Sequence, residues 1–165
     1  MTKVDIEQRG RVGIITINRP EARNAVNGEV AQGVEAGLDR FEADNAIQAV
    51  ILTGAGTTFC AGADLKLVAK GLGAEMATKK GNFAGVVKRE FPKPLIAAVN
   101  GPALAGGFEI VLSCDLVVAA DHATFGLPEA KRGLFAAAGG LIRLPKRIHH
   151  AAATEISITG DPIDA

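Results

Sequence analysis

A weak alternation begins at Val4, Ile6 and Gln8, and a stronger one runs over Val12–Ile17 until Asn18-Arg19-Pro20 ends it. A period of two predicts strands, and proline cannot donate to a sheet ladder. The period then lengthens. Val30, Val34, Leu38 and Phe41 recur at helical spacing over 27–41, behind Asn27, a residue suited to cap a helix. The apolar run 49–52, closed by Thr53-Gly54-Ala55-Gly56, predicts a buried strand. Strand, helix, strand in that order predicts a right-handed crossover within a largely parallel sheet, an α/β fold.

Residues 70–82 are glycine-rich and mixed in charge, which predicts an irregular, mobile segment. A helix is predicted over 83–91. Lys93-Pro94 introduces a strand over Leu95–Val99, followed by a short helix over Gly106–Ser113 and a strand over 115–120. Helices are predicted over 138–148 and 151–158, with Gly160 as a stop. Asp161-Pro162 is a common way to open a further helix, so the pattern reads as interrupted. There is no internal repeat and no low-complexity linker, and residues 1–165 read as one domain.

Composition narrows the functional classes. Lysine plus arginine and aspartate plus glutamate number 18 each, so no global field favours nucleic acid or an anionic membrane. Hydrophobic residues make up 48%, rich for a soluble monomer, which predicts apolar surface meant for other subunits or for further chain. Cys60 and Cys114 lack metal-like spacing and read as buried, reduced thiols of a cytoplasmic protein. The first residues carry charges and no apolar run, so they form no secretory signal, and no apolar run is long enough to span a bilayer.

The candidate chemistry lies in two glutamates among apolar neighbours. Glu109 ends the glycine-rich stretch Asn100-Gly101-Pro102-Ala103-Leu104-Ala105-Gly106-Gly107-Phe108-Glu109, and Glu129 follows Phe125-Gly126-Leu127-Pro128. An ionised glutamate is rarely buried without a partner or a task. Taken alone, Glu129, which stands before an alanine and two cations, reads equally as an exposed turn residue. A second small-residue loop, Phe59-Cys60-Ala61-Gly62-Ala63-Asp64-Leu65, follows a strand. Other chemistries lack their signatures. Phe59 occupies the third glycine of a dinucleotide fingerprint, no P-loop or GxSxG pattern occurs, and His122, His149 and His150 have no metal-ligand spacing with carboxylates.

Four segments in order, Asn18 to Ala25, Cys60 to Leu65, Asn100 to Glu109 and Phe125 to Glu129, resemble the crotonase (enoyl-CoA hydratase/isomerase) family over nearly the whole chain. The resemblance implies a crotonase-like spiral of βαβ units, mostly parallel sheets flanked by helices. It implies an oxyanion hole made by the backbone amides of Ala63 and Gly106, and catalysis by Glu109 and Glu129 holding one water between them. Amides at a helix start carry partial positive charge and suit an oxygen that gains negative charge in the transition state. Ala22, Arg23, Ala61, Asp64, Leu65, Lys66 and Ala137 are the implied substrate-binding positions, with Arg23 and Lys66 the candidates for coenzyme A phosphates. Coenzyme A is part of the substrate, an acyl-CoA thioester, and no separate cofactor or metal is implied.

Paired glutamates favour hydration of a 2-trans-enoyl-CoA to a 3-hydroxyacyl-CoA over isomerisation, which can proceed with one base. Isomerisation, thioester hydrolysis and non-catalytic acyl-CoA binding stay open as alternatives. The chain departs from the family pattern in placing Ala136 and Ala137 where proline and glycine are common, and Phe108 before Glu109 is bulkier than usual. Family members continue with helices that cover the acyl pocket and build trimers, often paired into hexamers. Those helices are expected to be missing here, and a homo-oligomer is expected of the full-length form.

Overall fold

The computed structural model describes residues 2–165. Its elements follow the chain as strands β1 (Val4–Arg9) and β2 (Val12–Ile17), helix α1 (Gly28–Ala43), strand β3 (Ala49–Gly54) and helix α2 (Leu65–Ala69). A small hairpin of β4 (Ala77–Thr78) and β5 (Asn82–Phe83) precedes β6 (Leu95–Val99), β7 (Ala103–Leu104) and helix α3 (Gly106–Ser113). Then come β8 (Leu116–Ala119), β9 (Thr124–Gly126), α4 (Gly140–Arg143), α5 (His150–Thr159) and β10 (Ile163–Asp164).

The main sheet has the order β1-β2-β3-β6-β8. Only the β1–β2 pair is antiparallel; β2, β3, β6 and β8 run parallel, as the strand-helix-strand order predicts. A smaller sheet, β10-β9-β7, stands beside it and carries the start of α3. The α/β architecture of parallel strands flanked by helices is therefore present. Among the described residues no helix is long and apolar enough to cross a membrane.

Helix α1 forms for the expected reasons. Asn27 accepts a hydrogen bond from the Val30 amide at 2.9 Å, satisfying one of the orphan donors of the first turn. Val30, Val34, Leu38 and Phe41 are buried against the sheet, each stabilising the fold by about 1.5–3 kcal/mol. Helix α3 keeps its predicted bounds, and α5 extends one residue beyond the prediction at each end, closing at Gly160 in the left-handed conformation. Strand β8 is one residue shorter at each end than predicted.

Three expectations need correction. The helix predicted over 83–91 is absent: β5 ends at Phe83 and turns follow. Asn82, Ala84 and Gly85 all have positive φ, which no right-handed helix accommodates. The helix predicted over 138–148 is broken into the single turn of α4 and a 3-10 turn, Leu144–Lys146, that contains Pro145. Residues 70–82 are irregular, as expected, but they are tethered rather than loose. Glu35 on α1 accepts hydrogen bonds from the Lys80 amide at 3.1 Å and the Gly81 amide at 2.9 Å.

Candidate active site

The segment around Arg23 and the first small-residue loop along the chain, 59–65, are held side by side by pinned backbone. Buried Asn24 donates to the carbonyls of Ala55 and Thr58 at 2.9 and 2.6 Å and accepts from the Arg19 amide at 2.9 Å. From there residues 23–26 run beside 61–64: the Ala61 amide donates to the Arg23 carbonyl, the Val26 amide to Gly62, and the Asp64 amide to Val26, at 3.0, 2.8 and 2.9 Å. These bonds gather Ala22, Arg23, Ala61, Ala63, Asp64, Leu65 and Lys66 into one region. Arg23, Leu65 and Lys66 are exposed, whereas Ala22 and Ala61 are half-buried.

The second loop packs onto the first backbone to backbone. A Cβ on Gly62 would lie 2.9 Å from the Gly106 nitrogen, so only glycine permits this approach, and its φ of +89° suits glycine as well. Among the described residues, neither the Ala63 amide nor the Gly106 amide donates to a protein acceptor. These two free donors lie on backbone segments that are in contact. A strained residue precedes the second. Ala105, just ahead of α3, adopts φ 52° and ψ −128°, a region sparsely populated by residues with a side chain. Its carbonyl still accepts from the Phe108 and Glu109 amides, at 2.9 and 3.1 Å. Phe83 lies over Gly106, where a Cβ would come within 2.6 Å of the ring. Nothing in the sequence pattern marked Phe83 as a neighbour of this site.

Glu109 lies on the first turn of α3 and is only 3% exposed. Its Oε1 accepts from the Gly140 amide at 2.8 Å. Burial pushes its carboxyl above the usual glutamate range; the Gly140 hydrogen bond opposes this and the charge of Glu129 adds to it. Glu129 sits on the 3-10 turn Pro128–Arg132, half-buried rather than on an exposed turn. Its Oε2 is buried with no hydrogen-bond partner, and burial raises its carboxyl too. Of the two glutamates singled out by their apolar neighbours, Glu109 thus feels the charge of Glu129, and Glu129 has an oxygen to spare.

Other residues take structural roles. The Asp64 carboxylate caps α2, accepting from the Lys66 amide at 3.0 Å, and pairs with Arg19 at 2.7 Å. Burial works against its ionisation, but the Arg19 hydrogen bond and the Lys66 amide outweigh burial and hold the carboxyl below its ordinary value. That carboxylate is therefore engaged within the protein, capping α2 and holding Arg19. Phe108 is buried and packs on Phe125 with ring centroids 5.3 Å apart, so its bulk goes to the core. Ala136 is buried against Gly140, while Ala137, the implied substrate contact of the pair, is exposed. Cys60 and Cys114 are buried free thiols, each pushed up to about 12 by burial. Among the described residues no cluster of three or more His, Cys, Asp or Glu side chains could hold a metal.

Comparison with known proteins places the chain in a family. The enoyl-CoA hydratase/isomerase family matches residues 7–165, and the chain belongs to that family. The crystal structure of enoyl-CoA hydratase EchA1 from Mycobacterium marinum superposes with a TM-score of 0.94 at 51% identity, covering all of this chain and 64% of that one. Among curated relatives, mevalonyl-coenzyme A hydratase sidH from Aspergillus fumigatus is 44% identical over 89% of this chain and 55% of its own length. Carnitinyl-CoA dehydratase from Proteus mirabilis is 40% identical over 95% of this chain and 60% of its own. The chain thus spans 55–64% of the length of these relatives.

Proposed function

We propose that this chain carries the reacting groups of an enoyl-CoA hydratase, adding water across the 2,3-double bond of a 2-trans-enoyl-CoA to give a 3-hydroxyacyl-CoA. The observation that carries the reading is the presence of two acceptor-free amides, Ala63 and Gly106, beside buried Glu109 and half-buried Glu129, whose Oε2 has no hydrogen-bond partner. The amides bind the thioester oxygen. As water adds to C3, electron density moves through C2 onto that oxygen, and the donors hold it more strongly in the transition state than in the substrate. Each donor is worth roughly 2.7–4 kcal/mol of barrier.

The carboxyls handle two protons. One, ionised, removes a proton from water as its oxygen bonds to C3; the other, protonated, delivers a proton to C2. The pair ends the addition with the same number of protons it began with, shared differently. Raised carboxyl pKa values suit this work, because both a proton donor and an acceptor are then present nearer neutrality. The two groups titrate as a pair. Arg23 and Lys66, exposed beside the amide loops, are assigned to the coenzyme A phosphates.

Assembly and location extend the proposal. Leu116 and Val118 on the edge strand β8 are 59% and 65% exposed, which supports a homo-oligomer, a trimer or hexamer in the full-length form. The two free thiols support a cytoplasmic setting. Product analysis tests the reaction. Crotonyl-CoA incubated with the protein should yield 3-hydroxybutyryl-CoA. Free coenzyme A would instead indicate a hydrolase, and a shifted double bond in a longer enoyl-CoA an isomerase. Binding without any product would indicate a non-catalytic acyl-CoA binder.

A further inference from the structure

The grip on Glu109 is itself held from outside. The Gly140 amide that bonds its Oε1 opens α4, and the preceding Gly139 has φ 106°, a conformation left to glycine. Arg143, one turn further on, folds back over this bend. Its Nη1 donates to the Ala138 carbonyl at 3.0 Å, and its Nη2 donates to the carbonyl of Val87. A Cβ on Gly139 would lie 2.1 Å from Nη1, so the guanidinium occupies the space that a side chain there would need. Resting on the hydratase reading for its catalytic meaning, we propose that Arg143 is a positioning residue that clamps the Ala138–Gly140 turn against the Glu109 carboxyl.

The geometry explains why arginine serves. A guanidinium has donors in a rigid fork and can bind two carbonyls at once, whereas an ammonium is a point charge on a flexible stem. Here one arm fixes the turn and the other reaches the segment after Phe83, whose ring covers Gly106. The clamp therefore links the carboxyl to the neighbourhood of the oxyanion amide. The charged side chains acting on Glu109 are Glu129, from the turn after β9, and Arg143, from α4; α3 carries no other charge.

Carbon-13 NMR of glutamate carboxyls tests this without requiring turnover. The Glu109 signal is assigned by its loss in Glu109→Gln and titrated in the wild type, Arg143→Met and Arg143→Lys. With the clamp gone, Glu109 loses a held amide and a nearby cation, so in Arg143→Met it should titrate at higher pH. The kcat for crotonyl-CoA should fall about ten- to a hundred-fold while KM changes little, as expected for misplacement of a reacting group. In Arg143→Lys the titration should lie between the other two, and kcat should remain below wild type. A folded Arg143→Met whose Glu109 titrates as in the wild type overturns the proposal. Should Arg143→Met not fold, Arg143→Lys decides: wild-type titration and rate there would show that charge alone suffices and that there is no two-carbonyl clamp. If Glu109 shifts as expected but the wild type does not hydrate crotonyl-CoA, the positioning role stands and the hydratase reading falls.

Discussion

The Arg19 guanidinium lies 2.7 Å from the Asp64 carboxylate, forty-five residues along the chain, and fixes the segment that presents the Ala63 amide. The pair is mostly shielded from water, at 18% and 10% side-chain exposure, and Asp64 also caps α2. Asp64→Ala removes the cap and leaves a shielded guanidinium without its partner. Stability should drop by roughly 2–4 kcal/mol, read as a lower urea midpoint.

The same pair carries a pH signature. The folded-state value for Asp64 is depressed, so its contribution is present above the unfolded value of about 3.9 and is lost as pH falls through the folded value. The stability gap between wild type and Asp64→Asn should therefore shrink on acidification below about pH 4. A gap that stays constant down to pH 2 would contradict the assignment.

The two glutamates should show the opposite sign. Their folded-state values are raised, so between the unfolded and folded values the native chain binds more protons, and stability falls as pH rises. Glu109→Gln and Glu129→Gln should each be as stable as wild type or more so at pH 7. The advantage should vanish below about pH 4, where an unperturbed glutamate is protonated in both states. Thermal melts across that range check it.

Ala105 supplies a test of stored strain. A non-glycine residue at φ 52° and ψ −128° costs about 1–3 kcal/mol, against about 0.5–1 kcal/mol for the extra unfolded-state freedom of glycine. Ala105→Gly should therefore raise stability by roughly 1 kcal/mol, and Ala105→Val should lower it. A destabilised glycine variant in a urea titration would show that the conformation carries no strain.

Much of this architecture is legible in the sequence, and the failures have physical causes. Helix α1 is readable because its apolar residues, Val30 to Phe41, keep one face over about three turns behind a competent cap. Phe83, Val86 and Val87 have the same helical spacing, yet Phe83 ends β5 and Val86 and Val87 bury their side chains from the turns that follow. The left-handed residues Asn82, Ala84 and Gly85 fold that segment against α1, with Gly85 too close to the Ala31 carbonyl for any side chain. Hydrophobic period reports which residues are buried, not which backbone buries them. Pro145 could have limited the helix predicted over 138–148, but the apolar pattern around it hid the break.

At the site, the sequence pattern marks which backbone segments can approach closely but not where side chains turn. Ala63 and Gly106 belong to loops whose small residues allow close approach, and the two loops do meet backbone to backbone at Gly62 and Gly106. Asp64 stands next to Ala63, but its side chain turns toward Arg19, a direction no linear pattern records. The Gly140 amide that holds Glu109 was missed because a backbone donor leaves no residue-type signature beyond the glycine pair 139–140.

The most direct test of the two-carboxylate account is the loss of conjugated enoyl-thioester absorbance when crotonyl-CoA is mixed with the protein, measured beside Glu109→Gln and Glu129→Gln. Concentrations should come from peptide absorbance, since the chain has neither tryptophan nor tyrosine. The account predicts turnover in the wild type and a loss of at least about a hundred-fold in each folded variant, as expected when a positioned acid or base is removed. Wild-type turnover that survives either substitution, or no hydration by the wild type, would contradict it.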